Sequence, residues 1–346
     1  MPTDENRTAR DGSLNELMDA IRQALVNVLD PLIPEGSRCA LIDFPAHPNV
    51  GDSAIWLGER AYLRQRGAAM VYTCDVRNYS RRLLERTVGD GTILLHGGGN
   101  FGDLWPHHHA LRLKVLRDFP RNRVIQLPQS IHFQSDRALD ETRRVVDAHA
   151  NFVMLTRDHT SFERFTKHFS HPCLMAPDLA FYLGPQALGG EPSWDVFWLT
   201  RLDKESRGLP STEVSGDIPI GDWMQDTLGV RQIEWMLAAA RKRSSRVKRI
   251  EKRLYDALAR ARLRRGCRML RQGRVVITER LHGHILCVLA GIPNVLIDNS
   301  YGKNAAFYEA WTRDWPGTRL VNTAAEAGAR ARELLAEGVC VATSAS

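Results

Sequence analysis

Val275-Val276-Ile277-Thr278-Glu279-Arg280-Leu281-His282-Gly283-His284 reads as a short buried strand that ends in a charged turn. The apolar run Ile285–Ala290 follows at once and reads as a helix. A strand passing directly into a helix is the repeating unit of a parallel α/β sheet. At this strand end a carboxylate, a guanidinium and two imidazoles stand within six residues. A permanent cation beside a titratable ring, at the mouth of a helix, suits an anionic substrate that must also exchange a proton.

The same alternation extends upstream. After an amphipathic helix over Leu14–Leu29, strands are expected at Arg38–Phe44, Met70–Cys74, Thr92–His96, Arg123–Leu127, Phe152–Thr156 and Cys173–Ala176. Helices are expected between them at Ser53–Gly67, His107–Asp118, Asp136–His149 and Thr160–His168. Continuous apolar strands separated by amphipathic helices predict a parallel sheet covered on both faces. Gly184–Pro192 is rich in Gly and Pro and reads as a linker. A second set of strands follows at Asp195–Thr200, Arg274–Thr278, Asn294–Ile297 and Arg319–Val321. The expected architecture is α/β, with two Rossmann-like domains and a central cleft. Residues 1–35 form an N-terminal helical segment, 36–185 the first domain and 193–346 the second.

Residues 228–272 of the second domain form a long basic helical segment. Val230, Ile233, Leu237, Ala240, Val247, Ile250, Leu254, Leu258 and Ala261 recur at spacings of three, four or seven. That is one apolar stripe on a long helix, or on two helices broken near Ser244-Ser245. The net charge of +7 is concentrated here: Arg241–Arg274 holds 15 Lys and Arg against Glu251 and Asp256, leaving the rest of the chain at −6. A run of like charge is commonly a solvated face. Its other reading is peripheral contact with an anionic membrane, at about 1 kcal/mol per near-surface basic residue. Nucleic acid is disfavoured, because Tyr255 alone interleaves the charges.

A hydrophobic content of 43% and charged content of 25% are those of a globular chain. The longest apolar stretch, Ile285–Ile297, is broken by Gly291, Pro293 and Asn294 and is too short to span a bilayer. Met1–Asp11 is polar and of mixed charge, unlike a secretory signal. Cys39, Cys74, Cys173, Cys267, Cys287 and Cys340 show no CxxC spacing, which argues for reduced thiols in the cytoplasm and against a zinc site.

Ligands of open α/β sheets bind beyond the carboxyl ends of the strands. Four segments place polar or glycine residues there. In His47-Pro48-Asn49-Val50-Gly51-Asp52-Ser53, Gly51 lets backbone approach a ligand and Asp52 or Ser53 can cap the next helix. His96-Gly97-Gly98-Gly99-Asn100 allows a tight turn with exposed amides, but lacks the GxGxxG spacing of a dinucleotide site. His107-His108-His109, just beyond it, reads as surface. In Leu127-Pro128-Gln129-Ser130-Ile131-His132, His132 lies just past a strand end. The fourth segment is Glu279–His284.

Asn49-Val50-Gly51-Asp52, Leu95–Asn100, Pro128–His132, Arg157-Asp158, Pro177-Asp178 and Glu279–Gly283 occur in this order between Asp43 and Asp298. Together they resemble the polysaccharide pyruvyl transferase family. The resemblance implies a glycosyltransferase-B-like pair of Rossmann domains. It also implies transfer of pyruvate from phosphoenolpyruvate to a sugar, commonly as a cyclic ketal. The family's donor site then corresponds to Arg280, Leu281, His282, His132 and Arg201, with Asn49, Gly51, Gly98, Gly99 and Asn100 as further substrate-binding positions. His282 is the expected general acid. Asp52 is the expected base or acceptor-holding residue. The reaction needs no redox cofactor, and no metal is expected. The acceptor would be a sugar or lipid-linked oligosaccharide of an exopolysaccharide or cell-surface glycan, reached from the cytoplasm or the inner face of the plasma membrane. The alternative on the same scaffold is a nucleotide-sugar-dependent glycosyltransferase.

Overall fold

The computed structural model describes residues 4–186, 190–201, 218–241, 248–298 and 302–338. α1 (Asp4–Leu29) leads into β1 (Arg38–Ile42), α2 (Val50–Gln65), β2 (Ala69–Cys74), α3 (Arg81–Val88), β3 (Thr92–Leu95) and β4 (Gly98–Gly102). Then come α4 (Pro106–Asp118), β5 (Val124–His132), α5 (Asp136–Asp147), β6 (Phe152–Thr156), α6 (His159–His168) and β7 (Cys173–Met175). A 3-10 segment, Leu179–Leu183, follows them. The rest comprises β8 (Trp194–Leu199), β9 (Ile220–Gly221), α7 (Leu228–Arg241), α8 (Lys248–Leu270), β10 (Gly273–Thr278), α9 (Leu281–Leu289), β11 (Asn294–Ile297), α10 (Lys303–Trp311), β12 (Thr318–Val321) and α11 (Ala324–Ala336).

The strands form two parallel sheets. The first runs β2-β1-β3-β5-β6-β7, and the second β12-β11-β10-β8-β9. In both, the first strand in sequence lies between the second and the third. Each sheet therefore reverses its direction of growth once, between β1 and β3 and between β8 and β10. Those two switch points are where a doubly wound sheet opens a ligand crevice.

The glycine segment after β3 is not a turn. β4 runs parallel along β5, with Gly98 opposite Gln129 and, after a register shift before Phe101, Gly102 opposite His132. The reason is backbone approach. A Cβ on Gly102, whose φ is +128°, would overlap the His132 carbonyl, and one on Gly97 would lie 2.8 Å from the Pro128 carbonyl. β5 likewise runs on through Pro128, at a register shift against β6 between Gln126 and Gln129. A proline needs such an irregularity inside a sheet. His132 therefore ends the strand rather than following it.

One apolar cluster runs from α1 (Leu25, Leu29) through α2 (Trp56) to residues of the second half (Leu263, Ile285, Val288). The outer faces of the two sheets carry separate clusters. The halves are thus joined by shared core, and α8 is a principal part of the join. Gly266 packs on Val50, where a Cβ would come within 2.4 Å of the valine methyl. Asp256 accepts from the Trp56 indole at 3.0 Å and from both Nε and Nη2 of Arg60 at 3.1 Å.

The basic segment over 228–272 is two helices, α7 and α8, and the expected break near Ser244-Ser245 lies outside the described residues. Nor is the run a uniformly solvated face. Arg262, Arg265 and Arg271 are buried. Arg262 pairs with Asp226 at 2.8 Å and with Glu234, and donates to the Pro45 carbonyl at 3.1 Å. Arg265 also pairs with Asp226 and donates to the Pro48 carbonyl at 2.6 Å. Among the described residues no helix is long and apolar enough to cross a membrane.

Candidate active site

At the first switch point β1 ends in Asp43, whose φ of +79° is unusual outside glycine. Its buried carboxylate accepts from Arg112 Nη1 at 2.7 Å and from His108 Nδ1 at 2.8 Å. Burial opposes its charge, but Arg112 and His108 outweigh that and hold the carboxyl far below the usual range. Arg112 is fully buried and also donates to the Gln126 amide oxygen and the His96 carbonyl, tying the ends of β1 and β3 to β5.

The helix after β1 starts at Val50, three residues earlier than expected. The cap is accordingly Asn49, not Asp52 or Ser53, and its side chain accepts from the Gly51 amide at 3.2 Å. The Asn49 amide nitrogen donates to Asp52 Oδ2 at 2.8 Å, and His47 Nε2 lies 3.5 Å from the same oxygen. Burial works against the Asp52 charge, yet His47, His282, His96 and His108 together keep its carboxyl below the ordinary range. Beneath it, His96 Nδ1 meets Glu59 Oε2 at 2.8 Å. Burial pulls the His96 pKa down, but Glu59 prevails and raises it.

At the second switch point, Arg280 caps α9 with its backbone and turns its guanidinium back to the neighbouring strand. It donates to the Thr200 carbonyl at 3.0 Å and to Asp222 at 2.7 Å, and lies over the Trp223 ring. His282, one residue into α9, crosses to the first half. Its Nε2 meets Asp178 Oδ2 at 3.2 Å, and Asp178 is also paired with the buried Arg157. Burial opposes the Asp178 charge, but His282 and Arg157 outweigh it and push its pKa far down. The Cγ–Nδ1 edge of the His282 ring lies over Gly51, where a Cβ would come within 2.5 Å.

Between the switch points is a cavity of about 250 Å³. Of the expected site residues, His282, Asp52, Arg280, Leu281, Arg201, Gly99, Asn100 and Asn49 line it. Gly51 supports His282 from below, and Gly98 stands beside Asp52. His132 is not brought to this wall. It lines a neighbouring cavity of about 280 Å³, which shares Gly99 and Lys303 with the first. The continuation of β5 to His132 is what places the ring there.

Several residues of the wall were not among the expected ones. His47 and His108 face the cavity, as do Arg157 and Lys303. The surface reading of His107-His108-His109 holds for His107 alone, since His109 is buried, with Nδ1 accepting from the Gly102 amide. The signal for Lys303 was its place shortly after the end of β11. The signal for Arg157 was its place directly after β6. His284, by contrast, points away from the cavity and bonds Asn294 and Thr312, while burial pushes its pKa down to about 4.

Among the described residues the wall thus presents four permanent cations, Arg157, Arg201, Arg280 and Lys303, with Asp52, while Asp178 and Asp222 pair with Arg157 and Arg280. A small polyanion suits such a lining, which would surround it with titratable rings.

Comparison with known proteins agrees with this arrangement. A solved structure of a functionally uncharacterised Klebsiella pneumoniae protein shares the fold, with a TM-score of 0.58 and 20% identity over 88% of this chain and 99% of that one. Pyruvyl transferase 1 of Schizosaccharomyces pombe is 34% identical over 297 residues, covering 79% of this chain and 69% of that protein. The putative pyruvyl transferase EpsO of Bacillus subtilis is 30% identical over 319 residues, covering 89% of this chain and 96% of that protein. Residues 49–301, which hold most of the cavity wall, including Asn49, Asp52, Arg157, Arg201, Arg280 and His282, match the polysaccharide pyruvyl transferase family, and this chain, a transferase, belongs to it.

Proposed function

We propose that the cavity takes phosphoenolpyruvate and that the chain moves its pyruvyl group to a sugar of an exopolysaccharide or cell-surface glycan precursor, as a cyclic ketal. The observation that carries this reading is the convergence of Arg157, Arg201, Arg280 and Lys303 on a cavity of about 250 Å³, with Asp178 and Asp222 holding Arg157 and Arg280. Phosphoenolpyruvate is small and bears both a carboxylate and a phosphate. Guanidiniums match each of these bidentately.

The reaction balances without an oxidant or reductant. C3 of the enol gains a proton, C2 becomes electrophilic, and a sugar hydroxyl adds to it. The C2–O bond to phosphate breaks, and the second hydroxyl closes the ketal. Of the two hydroxyl protons, one makes up for the proton given to C3 and the other leaves on the phosphate. His282 supplies the C3 proton. In its charged form the ring donates Nε2–H to Asp178 and keeps Nδ1–H, on the edge that packs over Gly51, where no side chain stands. Asp178 orients the ring in the way a triad carboxylate orients its histidine. We also propose peripheral contact of the exposed arginines of α8 with an anionic membrane, where a lipid-linked acceptor would be met.

The test uses phosphoenolpyruvate labelled in its three-carbon unit, mixed with sugar acceptors. Label is expected in the sugar product, with one phosphate released per ketal. Incorporation from nucleotide sugars, with none from phosphoenolpyruvate, sinks the proposal in favour of a glycosyltransferase.

A further inference from the structure

The transfer as written leaves two imidazoles of the cavity wall without a part, and of these His108 is taken up by Asp43. His47 sits on the loop between β1 and α2, half-buried, with Nε2 3.5 Å from Asp52 Oδ2. Asp52 is fixed in turn by the Asn49 amide at 2.8 Å. The loop is clamped on both sides of His47. The Pro45 carbonyl accepts from Arg262 at 3.1 Å and the Pro48 carbonyl from Arg265 at 2.6 Å. Both arginines are buried and anchored on Asp226. A solvent-facing loop needs no such clamp. A ring that must meet a substrate atom does, because efficient proton transfer depends on heavy-atom distances of about 2.6–3.2 Å.

We propose that His47 is the general base that takes the proton of the acceptor hydroxyl, with Asp52 as its positioning residue. The inference rests on the pyruvyl-transfer reading and completes its proton balance. As the hydroxyl oxygen bonds C2, its proton passes to His47. The phosphate leaves with the electron pair of the C2–O bond, and the proton held on His47 goes to that phosphate or to water. A second ring lets the hydroxyl lose its proton while C3 gains one, so addition does not wait for His282 to empty. The base must enter the cycle neutral. The groups facing His47 are Asp52 on α2, Asp43 at the end of β1, His108 on α4 and Arg262 on α8. Burial lowers the His47 pKa and exceeds the upward pull of Asp52, which keeps the ring unprotonated at neutral pH. Asp52, with its own pKa held down, is the weaker base of the two and the better anchor.

The experiment measures kcat/KM against pH for the wild-type chain and for His47→Gln, together with phosphoenolpyruvate affinity by calorimetry. The expected wild-type profile rises with pH through a limb below about 6.5, the ordinary histidine value. In His47→Gln turnover falls about a hundredfold or more, the rising limb disappears and donor affinity stays within threefold. Asp52→Asn keeps a rising limb but shifts it to lower pH, since the imidazolium loses its partner. Retention of the rising limb in His47→Gln overturns the assignment and leaves the transfer reading intact. Loss of donor binding in that variant overturns it too, making His47 a binding residue. A wild-type chain that binds no phosphoenolpyruvate removes both.

Discussion

Gly51 has no side chain, and the space one would fill belongs to His282. Its φ is ordinary for a helix, so alanine suits the backbone of α2 and would normally stabilise it slightly. The added Cβ would instead lie 2.5 Å from Cγ and Nδ1 of the ring. Either α2 shifts or the ring leaves Asp178. A displacement near 1 Å costs a catalytic group about a hundredfold in rate. Gly51→Ala is therefore expected to lose about that factor in turnover while unfolding within a few degrees of wild type. Turnover within threefold of wild type would show that the ring is not positioned by this contact. Individual histidines mark what sequence pattern can tell. Neighbours on a helix differ by about 100° in direction. That rotation sends His107 outward, His108 to the cavity and His109 into the core. His282 and His284 are likewise parted by about 200° and serve opposite sides of α9. Residue type was legible at each position, but the face that each ring meets depends on elements packed from elsewhere.

At the scale of elements, α8 departs furthest from its local pattern. Its charge run suggests solvent, yet Arg262 and Arg265 are buried because their partners come from Asp226 and from the loop carrying His47, up to 217 residues away. Charge counting along a chain cannot see such pairs. The apolar stripe was the more reliable signal, since Val230, Leu237 and Leu258 do face the core. β4 gives the same lesson for glycine, where adjacent backbone, not a turn, explains the missing side chains. The contact between α8 and α2 has a direct test at Asp256. This buried carboxylate satisfies Arg60 twice and the Trp56 indole once. Removing one partner of a buried pair costs about 3–5 kcal/mol. Asp256→Ala should lower Tm by roughly 6–20 °C, at about 2–4 °C per kcal/mol. A fall under about 2 °C would mean that water replaces the lost carboxylate and that α8 is not held there.

At the scale of the molecule, the alternation of strands and helices was enough to read two parallel sheets. The placement of the site at their carboxyl ends followed from it. Strand order was not legible, because nothing local to β1 or β8 names its neighbours. That order supplies the two switch points whose meeting makes one cavity from Asp52 and Arg280. The outer surface allows a further test. Arg253, Arg260, Arg264 and Arg268 are exposed at spacings of seven, four and four, which align on one face of α8. On the neighbouring α7, Leu228, Trp235 and Met236 are 74%, 68% and 58% exposed. Arginines for lipid phosphates beside an aromatic and apolar patch are the features of a membrane-surface contact. Four near-surface arginines contribute about 4 kcal/mol at an anionic leaflet. That amounts to a roughly thousandfold preference over a neutral one. Co-sedimentation at low salt should show the chain on anionic vesicles and not on neutral ones, with the preference fading as salt screens it. Replacing all four arginines by glutamine should abolish the preference and leave phosphoenolpyruvate turnover on a soluble sugar unchanged, because none of the four lines the cavity. Equal partition of the wild-type chain onto both vesicles would reduce the stripe to a solvated face.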